Sequence, residues 1–196
     1  MNELFVLRAG HARRTGISWT ASSTVTVIRT GERTVLVDPG CSKGLTKDLI
    51  NASLAPEDVD VVFITHGHPD HYLNIGLFRE ATVVDGTYVY QGENQAPHGG
   101  TMPGTDIEVL PTPGHTPDHA SLKVICTDAC YIVAGDLFWW EDRSLPPNDA
   151  RSLLALPDDL ALDRRALLRS RHRALKEADI VIPGHGRAVH LMRGPQ

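Results

Sequence analysis

Long apolar runs are missing from this chain of 196 residues. None approaches the roughly 18 residues that a spanning helix needs, so no membrane association is expected. Cysteine is scarce. Three of them (Cys41, Cys126 and Cys130) cannot all pair within one chain, which excludes a disulfide-built scaffold. Cys126 and Cys130 flank TDA and read as structural thiols at a turn between strands, because no second Cys/His pair of zinc-finger spacing joins them. The opening MNELFVLRAGHARR lacks the charged start, apolar segment and small-residue cleavage site of a signal peptide. With free thiols, this predicts a cytoplasmic location. An excess of positive charge is also missing. With 19 basic against 24 acidic residues the formal net charge is −5, which disfavours a broad nucleic-acid or anionic-membrane surface. Low-complexity tracts, repeats and shifts of composition are absent, so residues 1–196 read as one domain. No pattern bears on oligomeric state.

What the chain does have is histidine in an unusual place. The stretch FITHGHPDHYLN sets His66, His68, Asp70 and His71 within six positions. Unpaired imidazoles and a carboxylate are expensive to bury, so a shared partner must gather them. The apolar pattern around them is of the α/β kind. Strands are predicted at Ser22 to Thr30, in RTVLVDPG, at Asp60 to Thr65, in pairs within ATVVDGTYVY and SLKVICTDACYIVAGD, in TDIEVLPTPG, and in ADIVIPGHG. KGLTKDLINASL and Asp158 to Ala178 read as helices, the latter starting at Asp158 and Asp159. Phe138 to Pro157 reads as a loop.

Three further segments repeat one arrangement of short strand, tight turn and ligand-type side chain. VLPTPGHTPDH presents His115, YIVAGDLF presents Asp136, and IVIPGHG presents His185, each directly after a glycine (Gly114, Gly135, Gly184). Glycine allows unusual backbone angles and close approach to a crowded centre. Five histidines and two carboxylates exceed the needs of one tetrahedral ion and suit two ions sharing one ligand. His119, four residues after His115, is placed to orient a ligand from behind. His11, His98, His172 and His190 read as surface residues.

THGHPDH resembles the HxHxDH motif of the metallo-β-lactamase superfamily, and PGHTPDH, AGD and PGHG follow in the order that superfamily uses. VLVDPG, with Asp38, is similar to its early strand end. The resemblance spans about Thr24 to Gly186 and implies a four-layer αββα sandwich: two mixed sheets, helices outside, metals at one edge. By position it implies that His66, His68 and His115 hold one ion, that Asp70, His71 and His185 hold a second, that Asp136 bridges them, and that Asp38 supports the site from behind. Zinc β-lactamases often place a cysteine among these ligands. An aspartate at Asp136 is similar to glyoxalase II-like, lactonase-like and nuclease-like members, so penicillin hydrolysis is not expected. Where members often carry a small glycine-containing turn this chain has DHYLN, which is expected to set Tyr72 and Leu73 beside the metals. The AGDLFWWEDRS region looks loosely similar to the metallo-β-lactamase domain-containing protein 1 group, which admits an RNA-cleaving role.

Two divalent ions in such a site lower the pKa of a bound water to roughly 7, giving a bridging hydroxide that attacks an electrophilic carbon or phosphorus. Zinc is expected, with iron or manganese also compatible with mixed His/carboxylate donors. Asp70 is assigned a catalytic role, orienting the nucleophile. Tyr72, Leu73, Trp139 and Trp140 are assigned to the substrate pocket, with Phe138 to Pro157 read either as a lid or as core cover. A small acyl substrate (thioester, ester or lactone) is expected. The alternatives are a phosphodiesterase or ribonuclease and an iron-dependent, persulfide dioxygenase-like oxidoreductase. The basic run RRALLRSRHR (Arg164 to Arg173) reads as a solvated helix face balanced by Asp158, Asp159, Asp163 and Glu177, so nucleic acid is not favoured.

Overall fold

The computed structural model describes residues 1–142 and 144–191. Across a seven-stranded sheet lie, in order, β1 (Asn2–Arg8), β4 (Val25–Thr30), β5 (Arg33–Val37), β6 (Val61–Phe63), β7 (Thr82–Val84), β8 (Tyr88–Gln91) and β9 (Asn94–Pro97). A five-stranded sheet follows chain order: β10 (Glu108–Pro111), β11 (Ala120–Ile125), β12 (Cys130–Trp139), β13 (Ile180–His185) and β14 (Val189–His190). β2 (His11–Thr15) and β3 (Ser18–Ser22) form a separate two-stranded hairpin. The β5–β6, β6–β7 and β12–β13 pairings are parallel and the others antiparallel, so both large sheets are mixed.

Side-chain alternation sorts the layers. Successive residues of a strand face opposite sides, and a strand apolar at every position needs cover on both. Ile28, Val35, Val37, Val61 and Phe63 of the first sheet meet Leu122, Val124, Val133 and Ile182 of the second in a shared core. Their neighbours Val27, Leu36 and Val62 point the other way and pack with Leu45 and Leu49 of helix α1 (Leu45–Asn51). On the far side, Ile132, Ala134 and Val181 are covered by Leu153 of α3 (Ala150–Leu154) and by Leu167 and Ala174 of α4 (Arg164–Glu177). The layers therefore run helix, sheet, sheet, helix, as expected. A one-turn helix, α2 (Pro69–Tyr72), carries part of the histidine cluster.

The long helix begins later than its sequence suggests. Asp163 is its cap, accepting from the Arg165 and Ala166 N–H groups at 2.9 Å each. Asp158 is drawn instead into the interior, where it accepts from His115. The Phe138 to Pro157 segment is less irregular than expected: β12 continues through Trp139, and Asp149 caps α3. Arg143 of that segment lies outside the described residues. No helix among the described residues is long and apolar enough to cross a membrane.

Candidate metal centre

Strand ends and the turns after them bring the seven predicted residues to one edge of the two sheets. His66 follows β6, His68 caps α2, Asp70 and His71 lie within α2, His115 follows β10, Asp136 is in β12, and His185 ends β13. The glycines before three of them have two different uses. Gly114 (φ +142°) and Gly135 (φ +52°) occupy backbone conformations that side chains disfavour. Gly184 supplies room, since a side chain there would collide with Asp136 Oδ1.

Donor atoms fall into two sets. In the first, His66 Nε2 and His115 Nε2 lie 2.9 and 3.1 Å from His68 Nδ1, and 3.8 and 3.4 Å from Asp136 Oδ2. In the second, His71 Nε2 and His185 Nε2 are 3.3 and 3.4 Å from Asp136 Oδ1, and His185 Nε2 is 3.3 Å from Asp70 Oδ2. Within each set the donor atoms lie within 4.8 Å of one another, the sets being His66, His68, His115 and Asp136, and Asp70, His71 and His185. Asp136 turns one oxygen to each.

The outer nitrogens explain why the inner ones are free to donate. His71 Nδ1–H donates to Asp38 Oδ2 at 2.8 Å, and His115 Nδ1–H donates to Asp158 Oδ2 at 2.8 Å. His185 Nδ1–H donates to the carbonyls of His11 and Ser22, each at 3.1 Å, from the roots of the hairpin. Thr65 donates its hydroxyl to Asp38 Oδ2 at 2.8 Å and so accepts from His66 Nδ1–H at 3.1 Å. Each of these four imidazoles therefore turns its Nε2 inward with Nδ1 already engaged, as metal-binding histidines do. Asp38 stands at φ 49°, a strained position for a side-chain residue. Bonds from Thr65 N, Thr65 Oγ1 and His71 hold it there.

Electrostatics divide the histidines into two kinds. Burial, then the neighbouring imidazole of His71, pushes His66 far toward the neutral form; burial and His115 lower His68. Burial opposes charge on His71 and His185, but Asp136 outweighs it and raises both, aided at His71 by Asp38. Burial also opposes ionisation of Asp136, and His185 and His71 overcome it, holding the carboxyl well below its usual range. Among the described residues, His71 Nε2 and Asp136 Oδ1 are buried without hydrogen-bond partners of good geometry. Buried polar atoms crowded into one place are costly unless shared protons or a cation join them. The donor set thus fits a pair of divalent ions.

A cavity of about 230 Å³ opens onto this centre between His68, Asp70, His185, Trp19, Trp139 and Leu160. Asp70 is part-exposed there and Trp139 forms part of the wall. Three pocket assignments need correction. Tyr72 is half-buried and packs instead against the core cluster that includes Leu45 and Leu49 of α1, and Leu73 is 63% exposed outside the cavity. Trp140 does not line this cavity. It sits against Gly186 in the outer core and borders a neighbouring hollow. His119 is fully buried, its ring 5.1 Å from that of His66, but its hydrogen bond goes to Thr112 and not to a donor of the centre. Burial lowers its pKa to about 3, so it is neutral.

Sequence reasoning missed Asp158, Trp19 and Leu160. Asp158 lies 43 residues from His115 and looked like an ordinary helix start. Trp19 belongs to a hairpin whose local signal is the Gly16-Ile17 turn, since its strands lack apolar alternation.

Residues 19–102 match the family model described as the metallo-beta-lactamase superfamily. The chain is 35% identical over 209 residues to metallo-beta-lactamase domain-containing protein 1 of Xenopus laevis, covering all of this chain and 84% of the frog protein. The Mus musculus protein of the same name is 37% identical over 170 residues, covering 81% of this chain and 62% of that one. The chain therefore spans less than two thirds of the mouse protein. Among solved structures, a Thermotoga maritima protein assigned to the metallo-β-lactamases superposes with a TM-score of 0.69 at 18% identity, over 96% of this chain and 99% of its own. AidC, a dizinc quorum-quenching lactonase, superposes at 0.58 and 14% identity, over 91% and 81% of the two chains. A third, in a di-iron-bound form, superposes at 0.59 and 22% identity, over 86% and 89%. Sequence, fold and donor arrangement lead to one conclusion: this chain belongs to the metallo-β-lactamase superfamily.

Proposed function

We propose that the chain is a dinuclear metal-dependent hydrolase of small acyl compounds: thioesters, esters or lactones. The observation that carries this reading is Asp136, whose two oxygens address separate donor sets beside a cavity of about 230 Å³. His66, His68 and His115 would hold one ion, Asp70, His71 and His185 the other, with Asp136 shared. Zinc suits these imidazole and carboxylate donors, and iron and manganese are the alternatives. When bound, such a pair supplies an acidified water and a Lewis acid for the carbonyl oxygen. Asp70, part-exposed at the cavity, orients the attacking group and holds its proton for return to the leaving group. Trp139 and Leu160 exclude bulk water from the reacting carbon. The dizinc lactonase among the fold neighbours supports the acyl class.

One observation favours a second reading. Arg165, Arg169, His172, Arg173 and Lys176 share the exposed face of α4. Of the four acids expected to balance this run, Asp158 is taken by His115 and Glu177 by Lys123, while Asp159 pairs with Arg164 and the cap Asp163 stays in the field of Arg165 and Arg169. This ridge would suit a phosphodiester substrate. A panel of thioester, lactone, β-lactam, phosphodiester and single-stranded RNA substrates, run with zinc, manganese and iron, decides between them. Acyl hydrolysis lost in His68→Ala and Asp70→Ala is the expected result. RNA cleavage orders of magnitude more efficient, and equally lost, would replace it. One iron per chain with persulfide-dependent oxygen uptake would move the chain to the oxidoreductases.

A further inference from the structure

Beside the metal cavity lies a second, larger hollow of about 340 Å³ that shares Trp19, Trp139 and Leu160 with it as a common wall. Its remaining apolar surface comes from Trp140, Leu145, Leu156 and Pro157. Trp19 and Trp139 meet edge to face at 6.0 Å between ring centres, and Trp139 in turn stands 6.4 Å from the ring of His185. The wall thus runs without a break from a donor of the metal centre into the hollow.

Large apolar side chains are left in water around this one opening: Trp19 is 40% exposed, Leu160 50% and Leu145 93%. Such a concentration is uncommon unless something covers it. The charged groups of the rim are largely committed to other partners. The Arg14 guanidinium stacks over Trp19 at 5.7 Å while its Nε donates to Gly16 O, and Asp159 pairs with Arg164 at 3.3 Å. Glu141 and Ser144 complete the edge. The surface offered to a ligand is therefore mostly indole and leucine. In addition, the buried Trp139 Nε1–H has no acceptor among the described residues, although buried indole donors ordinarily find one.

We propose that this hollow is an acyl subsite that holds an aromatic or branched apolar group on the substrate, with the scissile carbonyl beside Asp70 and His185. The proposal rests on the acyl-hydrolase reading and names its substrate class: aryl-substituted or branched acyl compounds over acetyl ones. Straight, flexible chains would lose more rotational freedom on entry than a ring does. The aromatic walls favour a ring further through edge-to-face contact.

The test compares phenylacetyl and acetyl thioesters of one thiol on the metal-loaded protein, together with calorimetric titration of phenylacetate and acetate. A buried phenyl group is worth at least about a tenfold preference in kcat/KM. Trp19→Ala and Leu160→Ser should bring that ratio close to one and weaken phenylacetate binding about tenfold. Both positions are substantially exposed, and Trp19 lies on a separate two-stranded hairpin, so both variants should fold. Equal rates for the two thioesters without phenylacetate binding would overturn the subsite and leave the hydrolase reading standing. Phenylacetate binding that depends on Trp19 and Leu160, with no hydrolysis of thioesters, esters or lactones, would sink the hydrolase reading and leave the hollow as an aryl-binding site alone. A preference, or binding, that survives both substitutions places the ligand elsewhere and ends the proposal, as does the absence of both hydrolysis and binding.

Discussion

The two oxygens of Asp136 look onto donor sets that are mounted differently. On the Oδ2 side, His66 and His115 are fixed by side chains, Thr65 and Asp158. On the Oδ1 side, His71 is fixed by the side chain of Asp38, but His185 is fixed by main-chain carbonyls of the hairpin. A side-chain mount can be removed by one substitution; a main-chain mount yields only if the backbone moves. The centre therefore has one half tuned through individual residues and one half tied partly to the placement of β2 and β3.

The largest effect should come from Asp136 itself. Asp136→Ala should lower the bound ions from two to at most one while the chain remains folded, as elemental analysis and circular dichroism would report. Activity should fall by on the order of 10³-fold or more, because the shared ligand supports several kcal/mol of transition-state stabilisation. Two ions retained in this variant would mean that neither half depends on the bridge. Next in size, Asp158→Asn and Asp38→Asn should each weaken one ion about 10- to 100-fold, the range seen for partners of metal-binding histidines. Asparagine also tolerates the left-handed backbone at Asp38. Cobalt titration against a competing chelator should show the His115 side weakened in the first variant and chiefly the His71 side in the second, where Asp38 reaches His66 only through Thr65. Weakening of the same ion in both would break the division into halves.

The smallest effect concerns His119, which backs the Oδ2 side. Its folded pKa of about 3 lies below the unfolded value of 6.5. Between these values the unfolded chain binds more protons, so stability is present above pH 6.5 and is lost as pH falls toward 3. The loss reaches at most about 1.4 kcal/mol per pH unit. Urea midpoints of the metal-free protein should show a shallower decline over this window in His119→Asn than in the parent. Identical slopes would remove His119 from the acid response.

Most of the donor set was legible because it is locally encoded. Apolar strands ending in a turn and a histidine or aspartate can be read one segment at a time, and the apolar two-sided strands predict sheets covered on both faces. Three features were not legible, each for a physical reason. Asp158 is called to the interior by His115, a contact without local trace. Tyr72 and Leu73 follow the ligands in sequence, but the single turn of α2 directs one into the core and the other to solvent. The hairpin strands carry few apolar residues because they stand on the surface and wall a cavity, so their period says little.

The bonds from His185 to His11 and Ser22 join residues 174 and 163 positions apart. Contacts of such separation form late, since loop-closure entropy rises with the length of chain between the partners. The His66 to His71 cluster, by contrast, is assembled by one turn of backbone. A chain folding in the presence of metal would thus offer four closely spaced donors long before the last strand docks. Metal captured then would be held by an incomplete site, and the closing of the hairpin over His185 would be the slow step that converts it to the native centre. The order of metal addition and refolding should consequently change the rate at which active protein appears.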